Sequence, residues 1–436
     1  MEFILCTGYT LLFIYLIYKL PFFRIDGISW KLLTGLFIVK ILSAFAITLI
    51  YTYYYKNRIE SDIFKYFDDG KVIFSSLKDN PIDYLRMITG IGADSPYLKH
   101  YYDIANFWNK TFDYGLYNDC RTMIRFNAVA MIFSFGYFNV HNIFMAFLSF
   151  TGLTAIFKVF YPYFLNKRNA LIFSVFLIPS VLLWTSGVLK EGILMFAFGL
   201  FIYYISKLLY KGFKWKLIIG ALLMTGLLLF IKFYVLIAAL PGIISIIILR
   251  FYKKKPALPI IAGVHLIIIT AFFLFHTIFL SYNLLEIIAT KQHDFIHVTD
   301  INQHVGSKID LPILEPTCIS FLKNTPNALI NSLFRPHLFE IHSLMIIPAA
   351  LENLLIIVVM ILTIIFYKKN SLETFPWFWF CVSFVLILLI LCGLTTPVLG
   401  ALVRYRTPAL PFLFIIFLTF IDLNRIKQLF TWKKSH

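Results

Sequence analysis

Long apolar runs, each close to the length of one bilayer-crossing helix, alternate along the chain with short clusters of lysine and arginine. A helix needs about 20 apolar residues to cross ~30 Å of hydrocarbon. On that count the pattern predicts about eleven spans: Ile4–Phe22, Leu32–Tyr55, Ile143–Phe164, Ala170–Val188, Ile193–Tyr210, Leu217–Ile231, Phe233–Leu249, Leu258–Leu280, Met345–Tyr367, Trp377–Leu394 and Ala409–Ile421. The first run has no basic start and no small-residue cleavage site, so it reads as a retained span and not a signal peptide. Two stretches break the alternation. Residues 56–125 and 281–343 are long and mixed in polarity. The first carries amphipathic runs such as Ile63, Phe64, Phe67, Val72, Ile73 and Phe74, which suit helices lying at the membrane surface. Phe126–Phe164 is too long for one span and short for two. Gly136, Asn139, His141 and Asn142 interrupt it, so Phe126–Asn139 is expected as a re-entrant or interfacial piece. The expected fold is an all-α polytopic transmembrane protein, one integral-membrane domain over 1–436, with two long extracytoplasmic loops carrying interfacial helices.

Composition agrees and adds direction. Hydrophobic residues make up 60% and charged residues 14% of the chain, against roughly 25% charged in soluble domains. The formal net charge of +17 would suit nucleic acid if it formed a patch. Instead the basic residues sit between apolar runs, at 167–168, 207–216, 250–255, 368–369 and 425–434. That is the positive-inside pattern. With those clusters in the cytoplasm, the N-terminus and both long loops face outward and the C-terminus faces inward. Ten of the 22 acidic residues fall in the first loop and six in the second, which concentrates acid on the outer face. The tyrosines at 51, 53, 54 and 55 stand where a helix leaves the hydrocarbon.

Candidate chemistry collects on that outer face. Asp62, Asp68 and Asp69 open the first loop, at the mouth of a span, where carboxylates are costly to place without a use. Helical spacing puts Asp62, Lys65 and Asp69 on one face; a solvated amphipathic helix would carry the same pattern. Lys190 and Glu191 form an ion-pairable couple in a short turn between two spans, either functional or a helix-capping bridge. Arg404 and Arg406 lie outside against the charge bias, and guanidinium forks match phosphate oxygens; snorkelling to headgroups is the alternative. Arg335, His337 and Glu340 close the second loop, as further anion or sugar contacts or as the start of an interfacial helix. His293 and His297 share a helical i, i+4 spacing, and His304 follows, but no carboxylate–histidine motif surrounds them, which favours a structural role over a metal site. Cys381 and Cys392 fall in apolar runs as inert thiols. Cys120 and Cys318 fall in the two loops, where a bridge between them stays open. The chain has no glycine-rich phosphate loop, HExxH, GxSxG or dinucleotide fingerprint, which argues against nucleotide hydrolysis and primary active transport.

An acidic motif in the first large outer loop, interfacial helices after it and many spans together resemble the GT-C class of integral-membrane glycosyltransferases. The segments Leu183-Trp184-Thr185-Ser186-Gly187-Val188-Leu189-Lys190-Glu191 and Gly400-Ala401-Leu402-Val403-Arg404-Tyr405-Arg406-Thr407-Pro408 are similar to ones in bacterial polysaccharide-assembly membrane proteins. The acidic loop follows the first span in that class and the second span here. The resemblance implies sugar transfer from a polyprenyl-phosphate donor to a glycan or lipid acceptor, outside the cytoplasmic membrane, in cell-envelope synthesis. It implies Asp62 as general base or metal ligand, with Asp68 and Asp69 as the other candidates. Lys190, Arg404 and Arg406 would meet the departing phosphate, and Glu191, Arg335, His337 and Glu340 would touch substrate. A divalent cation is an optional helper. An O-antigen-type polymerase of repeat units is the neighbouring alternative. A non-enzymatic flippase or transporter is the alternative of another class; Pro179, Pro241 and Glu352 are its mid-span candidates.

Overall fold

The computed structural model describes residues 1–55, 58, 61–109, 117–251, 256–278, 283–301, 307–369 and 375–432. Helices dominate throughout, and β-structure among the described residues is limited to three isolated bridges. Nine helices among the described residues are long and apolar enough to cross a membrane. They are Glu2–Lys19, Trp30–Tyr54, Phe138–Tyr163, Lys190–Lys211, Trp215–Phe251, Ala257–Phe275, Ile347–Ile365, Phe378–Thr395 and Leu399–Phe420. The chain is an all-α, multi-pass membrane protein.

Two expected elements are built differently in detail. The stretch 126–139 is not one continuous helix. A helix runs over Asp119–Ser134, turns through Phe135 and Gly136 at positive φ, and a second helix runs over Phe138–Phe160. Asn139, His141 and Asn142 sit inside that second helix because partners satisfy them. His141 lies 2.7 Å from both Ser134 Oγ and Asn127 Oδ1. Asn142 donates to Thr48 Oγ1 at 2.8 Å, and Asn139 donates to Glu2. Buried polar groups are tolerated when paired. The stretch 170–188 is not one continuous helix either. It is built from Arg168–Ile172, a π-helical turn Phe173–Leu177 and the short helix Pro179–Trp184. Pro179 lacks the N–H that a continuing helix would need.

Contacts divide the chain into two compact units: Met1–Val159 with Leu182–Phe233, and Phe160–Val181 with Tyr234–His436. In the first unit the helices Phe138–Phe160 and Lys190–Lys211 meet backbone to backbone. A Cβ on Gly152 would stand 2.0 Å from Met195 O, and one on Gly199 would stand 2.0 Å from Gly152 O. Small residues permit such approaches between membrane helices, where packing replaces the hydrophobic drive. The helix Asp62–Asp79 buries Ile63, Phe64, Phe67, Gly70 and Ile73, a helical-period stripe that seeks one apolar face. It packs on Asp119–Ser134, and at Gly70 an added Cβ would come within 2.7 Å of Asn127.

In the second unit the helices Leu284–Ile301 and Cys318–Phe334 pack through Leu285, Ala289, Phe321 and Ala328 against Leu394. Buried Gln292 holds this region in register. It donates to Leu394 O at 2.7 Å and Pro312 O at 3.2 Å, and accepts from Leu314 N at 2.8 Å.

Candidate functional site

Asp62 is the first residue of its helix and is half-buried. A carboxylate is favoured there by the helix dipole. The neighbouring Ile63 and Phe64 pack in one cluster with Ile47 and Leu189. Leu189 directly precedes Lys190, the first residue of the helix Lys190–Lys211. Apolar packing on either side therefore sets the two helix starts together, and Asp62 and Lys190 interact through charge. Lys190 is 9% exposed. Its Nζ lies 2.8 Å from Asp119 Oδ2, 3.3 Å from Cys120 Sγ and 5.6 Å from the centre of the Tyr66 ring. One ammonium thus meets the Asp119 carboxylate, a thiol and an aromatic face.

Lys190 and Glu191 do not pair with each other. Glu191, fully buried, accepts from Lys232 at 2.8 Å. Lys232 is the one residue of Trp215–Phe251 out of helical conformation, at φ −153° and ψ 80°. Nearby, Thr122 donates to Phe230 O at 2.8 Å. An ion pair this deep holds because each charge has its partner; loss of either costs about 3–5 kcal/mol.

The other two aspartates of this helix have separate work. Asp68 takes both forks of Arg58, at 2.7 and 3.0 Å, and Arg58 lies over Phe64. Asp69 is buried and accepts from Asn106 N, Phe107 N and Asn106 Nδ2 at 2.8, 2.7 and 3.3 Å. Burial pushes its carboxyl upward, the N–H bonds from Asn106 and Phe107 oppose this, and the result is a raised pKa. Lys65 lies over the Phe107 ring. The face expected to carry Asp62, Lys65 and Asp69 exists, but Lys65 and Asp69 spend it on the segment Asn106–Phe107.

In the second unit Arg406 is fully buried. It donates to Ser332 O at 2.8 Å, Arg335 O at 3.0 Å and Asn353 Oδ1 at 2.5 Å. Glu352 Oε1 stands 3.6 Å away. Glu352 in turn accepts from Ser180 N at 2.6 Å and Ser180 Oγ at 2.8 Å, capping the helix that starts at Pro179. Asn353 donates to Phe334 O and Pro336 O. The sequence pattern suggested Arg406 as a phosphate ligand; its terminal nitrogens are given to the chain instead. Arg404, in the preceding turn, is half-buried. Arg335 and Glu340 form an ion pair at the end of the loop, and His337 N donates to Glu340 at 2.8 Å. Burial raises the Glu340 carboxyl, but the Arg335 and His337 bonds outweigh it and hold its pKa below the ordinary value.

All five cysteines are thiols, so no bridge joins Cys120 to Cys318. His293 lies 3.0 Å from Leu314 O, and His304 falls outside the described residues. No group of three or more His, Cys, Asp or Glu among the described residues is placed to hold a metal ion. Beside Asp119 the positive charge is supplied by Lys190.

No protein-family model, curated protein or solved structure matches the chain. The site therefore stands on its own geometry. Asp119 and Cys120 are the members that sequence reasoning missed. Asn118, whose side chain accepts from Cys120 N, is the helix-start signal that marks them.

Proposed function

We propose that the protein is a membrane-embedded glycosyltransferase of the GT-C kind, moving a sugar from a polyprenyl-phosphate donor to an acceptor hydroxyl outside the cytoplasmic membrane. The observation that carries this reading is the half-buried Asp62 at the start of an amphipathic helix, whose neighbours Ile63 and Phe64 pack with Leu189 beside Lys190. Asp62 removes the acceptor proton. The acceptor oxygen bonds to the anomeric carbon as the bond from that carbon to the phosphate oxygen breaks, and the phosphate leaves with the electron pair. Lys190 meets the charge that develops on the phosphate. Arg406 is left out because its terminal nitrogens are occupied.

The topology that goes with this reading has about eleven spans, the N-terminus and both long loops outside. Among the nine long helices, Trp215–Phe251 has 37 residues and a break at Lys232. At 1.5 Å per residue its length is about 55 Å, nearly two hydrocarbon thicknesses. Counted as two spans, and with the interrupted stretch 168–184 counted as one, it brings the number to eleven.

One observation favours transport instead. The buried Glu191–Lys232 pair sits at a helix break, and ionisable residues beside broken helices are common at transport sites. Glycan profiling separates the readings. A deletion strain is complemented with the wild-type gene or with Asp62→Asn at matched protein level, and lipid-linked and surface glycans are measured by mass spectrometry. A product one sugar short with Asp62→Asn supports the transferase. Complete repeat units left unpolymerised support the polymerase, and an unchanged profile argues for transport of another solute.

A further inference from the structure

Lysines converge where the helices Phe138–Phe160 and Lys190–Lys211 end in the first unit. Lys158 lies in the last turn of the former and Lys211 in the last turn of the latter. Lys207 precedes Lys211 by one turn on the same face. Lys158 donates to Phe22 O at 2.5 Å and lies 4.9 Å from the centre of the Phe22 ring. Lys158 and Lys207 share the Tyr203 ring, at 5.9 and 5.1 Å from its centre. Lys207 and Lys211 both repel Lys158, and they repel each other. Among the described residues no carboxylate acts on Lys158 or Lys207.

A helix C-terminus favours a nearby cation. That accounts for lysine at each helix end, but not for two ammonium groups drawn to one ring, with a third one helical turn away, while each carries a long stem able to swing away. An anion seated among them turns mutual repulsion into shared attraction. Next to the same Pro21–Phe23 turn, Lys19 and Arg24 line a cleft of about 450 Å³, with Asp26 the acid among the described lining residues. Basic side chains at the ends of membrane-crossing helices lie at the depth of lipid headgroups. Lysine is a compact point charge suited to phosphate.

We propose that Lys158, Lys207 and Lys211 form a phosphate-binding site that takes the headgroup of an anionic phospholipid. This site is separate from the Asp62–Lys190 cluster and does not depend on the transferase reading.

The full chain, purified in neutral detergent, is titrated with phosphatidylglycerol or phosphatidylcholine, and retained lipid is measured by native mass spectrometry. Millimolar inorganic phosphate forms a third arm. Wild type should retain phosphatidylglycerol in preference. Replacing all three lysines by glutamine should weaken that retention by roughly fivefold per lysine, while arginine at all three positions should keep it. Lys207→Gln alone should weaken it roughly fivefold, which keeps the test open if the triple variant folds poorly. Lys323→Gln, in the second unit, should leave it unchanged. Inorganic phosphate that binds the lipid-free protein and is lost in the glutamine variants, without any preference for phosphatidylglycerol, would keep the phosphate site and overturn the lipid as its occupant. Equal retention of both lipids with no variant-sensitive phosphate binding would overturn the site.

Discussion

Two charged clusters, one in each unit, use their ions differently. Around Arg406 both terminal nitrogens of the guanidinium and both Glu352 oxygens meet protein groups, and both side chains are essentially inaccessible. Around Lys190 the ammonium pairs with Asp119 and lies beside the Cys120 thiol, and the Asp119 side chain keeps 28% of its surface exposed. A cluster whose terminal nitrogens are all engaged and closed to solvent, with only the buried Arg406 Nε left without an acceptor, acts as a clamp on the chain. A shared, partly open cluster can exchange one partner for a substrate group. The type of residue is similar in the two places; occupancy and access make the difference.

The contrast can be broken at several points. The largest effect is expected from Arg406→Ala, which strands the Glu352 carboxylate and the Ser332 and Arg335 carbonyls. It should destabilise the fold by about 3–5 kcal/mol, read as a lower melting temperature in detergent. Lost product at an unchanged melting temperature would instead make Arg406 a ligand group. Asp69→Ala should cost about 1–3 kcal/mol, because the buried Asn106 and Phe107 N–H groups lose their acceptor. The check is faster hydrogen exchange at those amides.

Glu340 gives a smaller, pH-dependent effect. Its lowered pKa means that the Arg335 pairing stabilises the fold above the ordinary value of 4.5 and is lost as pH falls through the lowered value. Glu340→Gln should therefore melt below wild type at pH 7, with the difference fading in acid. A difference that persists in acid would show that the pairing does not depend on the charge of Glu340. Asp68→Asn should be the mildest change, about 0–1 kcal/mol for an exposed pair, with product retained. A large loss of product would move the chemistry from Asp62 to Asp68.

Much of the fold was legible because span-length apolar runs constrain the chain strongly. The misreadings came where polar residues have partners distant in sequence. Asn139, His141 and Asn142 look like interruptions until Glu2, Thr48, Asn127 and Ser134 are placed beside them. Of the unit boundaries near residues 159, 181 and 233, the last follows the Lys232 break between two apolar runs, while the first two fall within apolar runs and leave no mark in the hydrophobic pattern. At the site, Asp62 and Lys190 stood out as charges at span ends. Their meeting depends on Ile63, Phe64 and Leu189, ordinary apolar residues that announce nothing alone. Arg406 was legible as an unusual charge, but the engagement of its terminal nitrogens was not, because two of their acceptors are backbone carbonyls.

The most direct test compares Asp62→Asn with Asp68→Asn, measuring glycan product per folded protein alongside melting temperature. The account predicts a loss of about 10²–10⁴-fold for Asp62→Asn, as expected for a lost general base, with melting unchanged and Asp68→Asn close to wild type. Full product from Asp62→Asn at a normal protein level would contradict it.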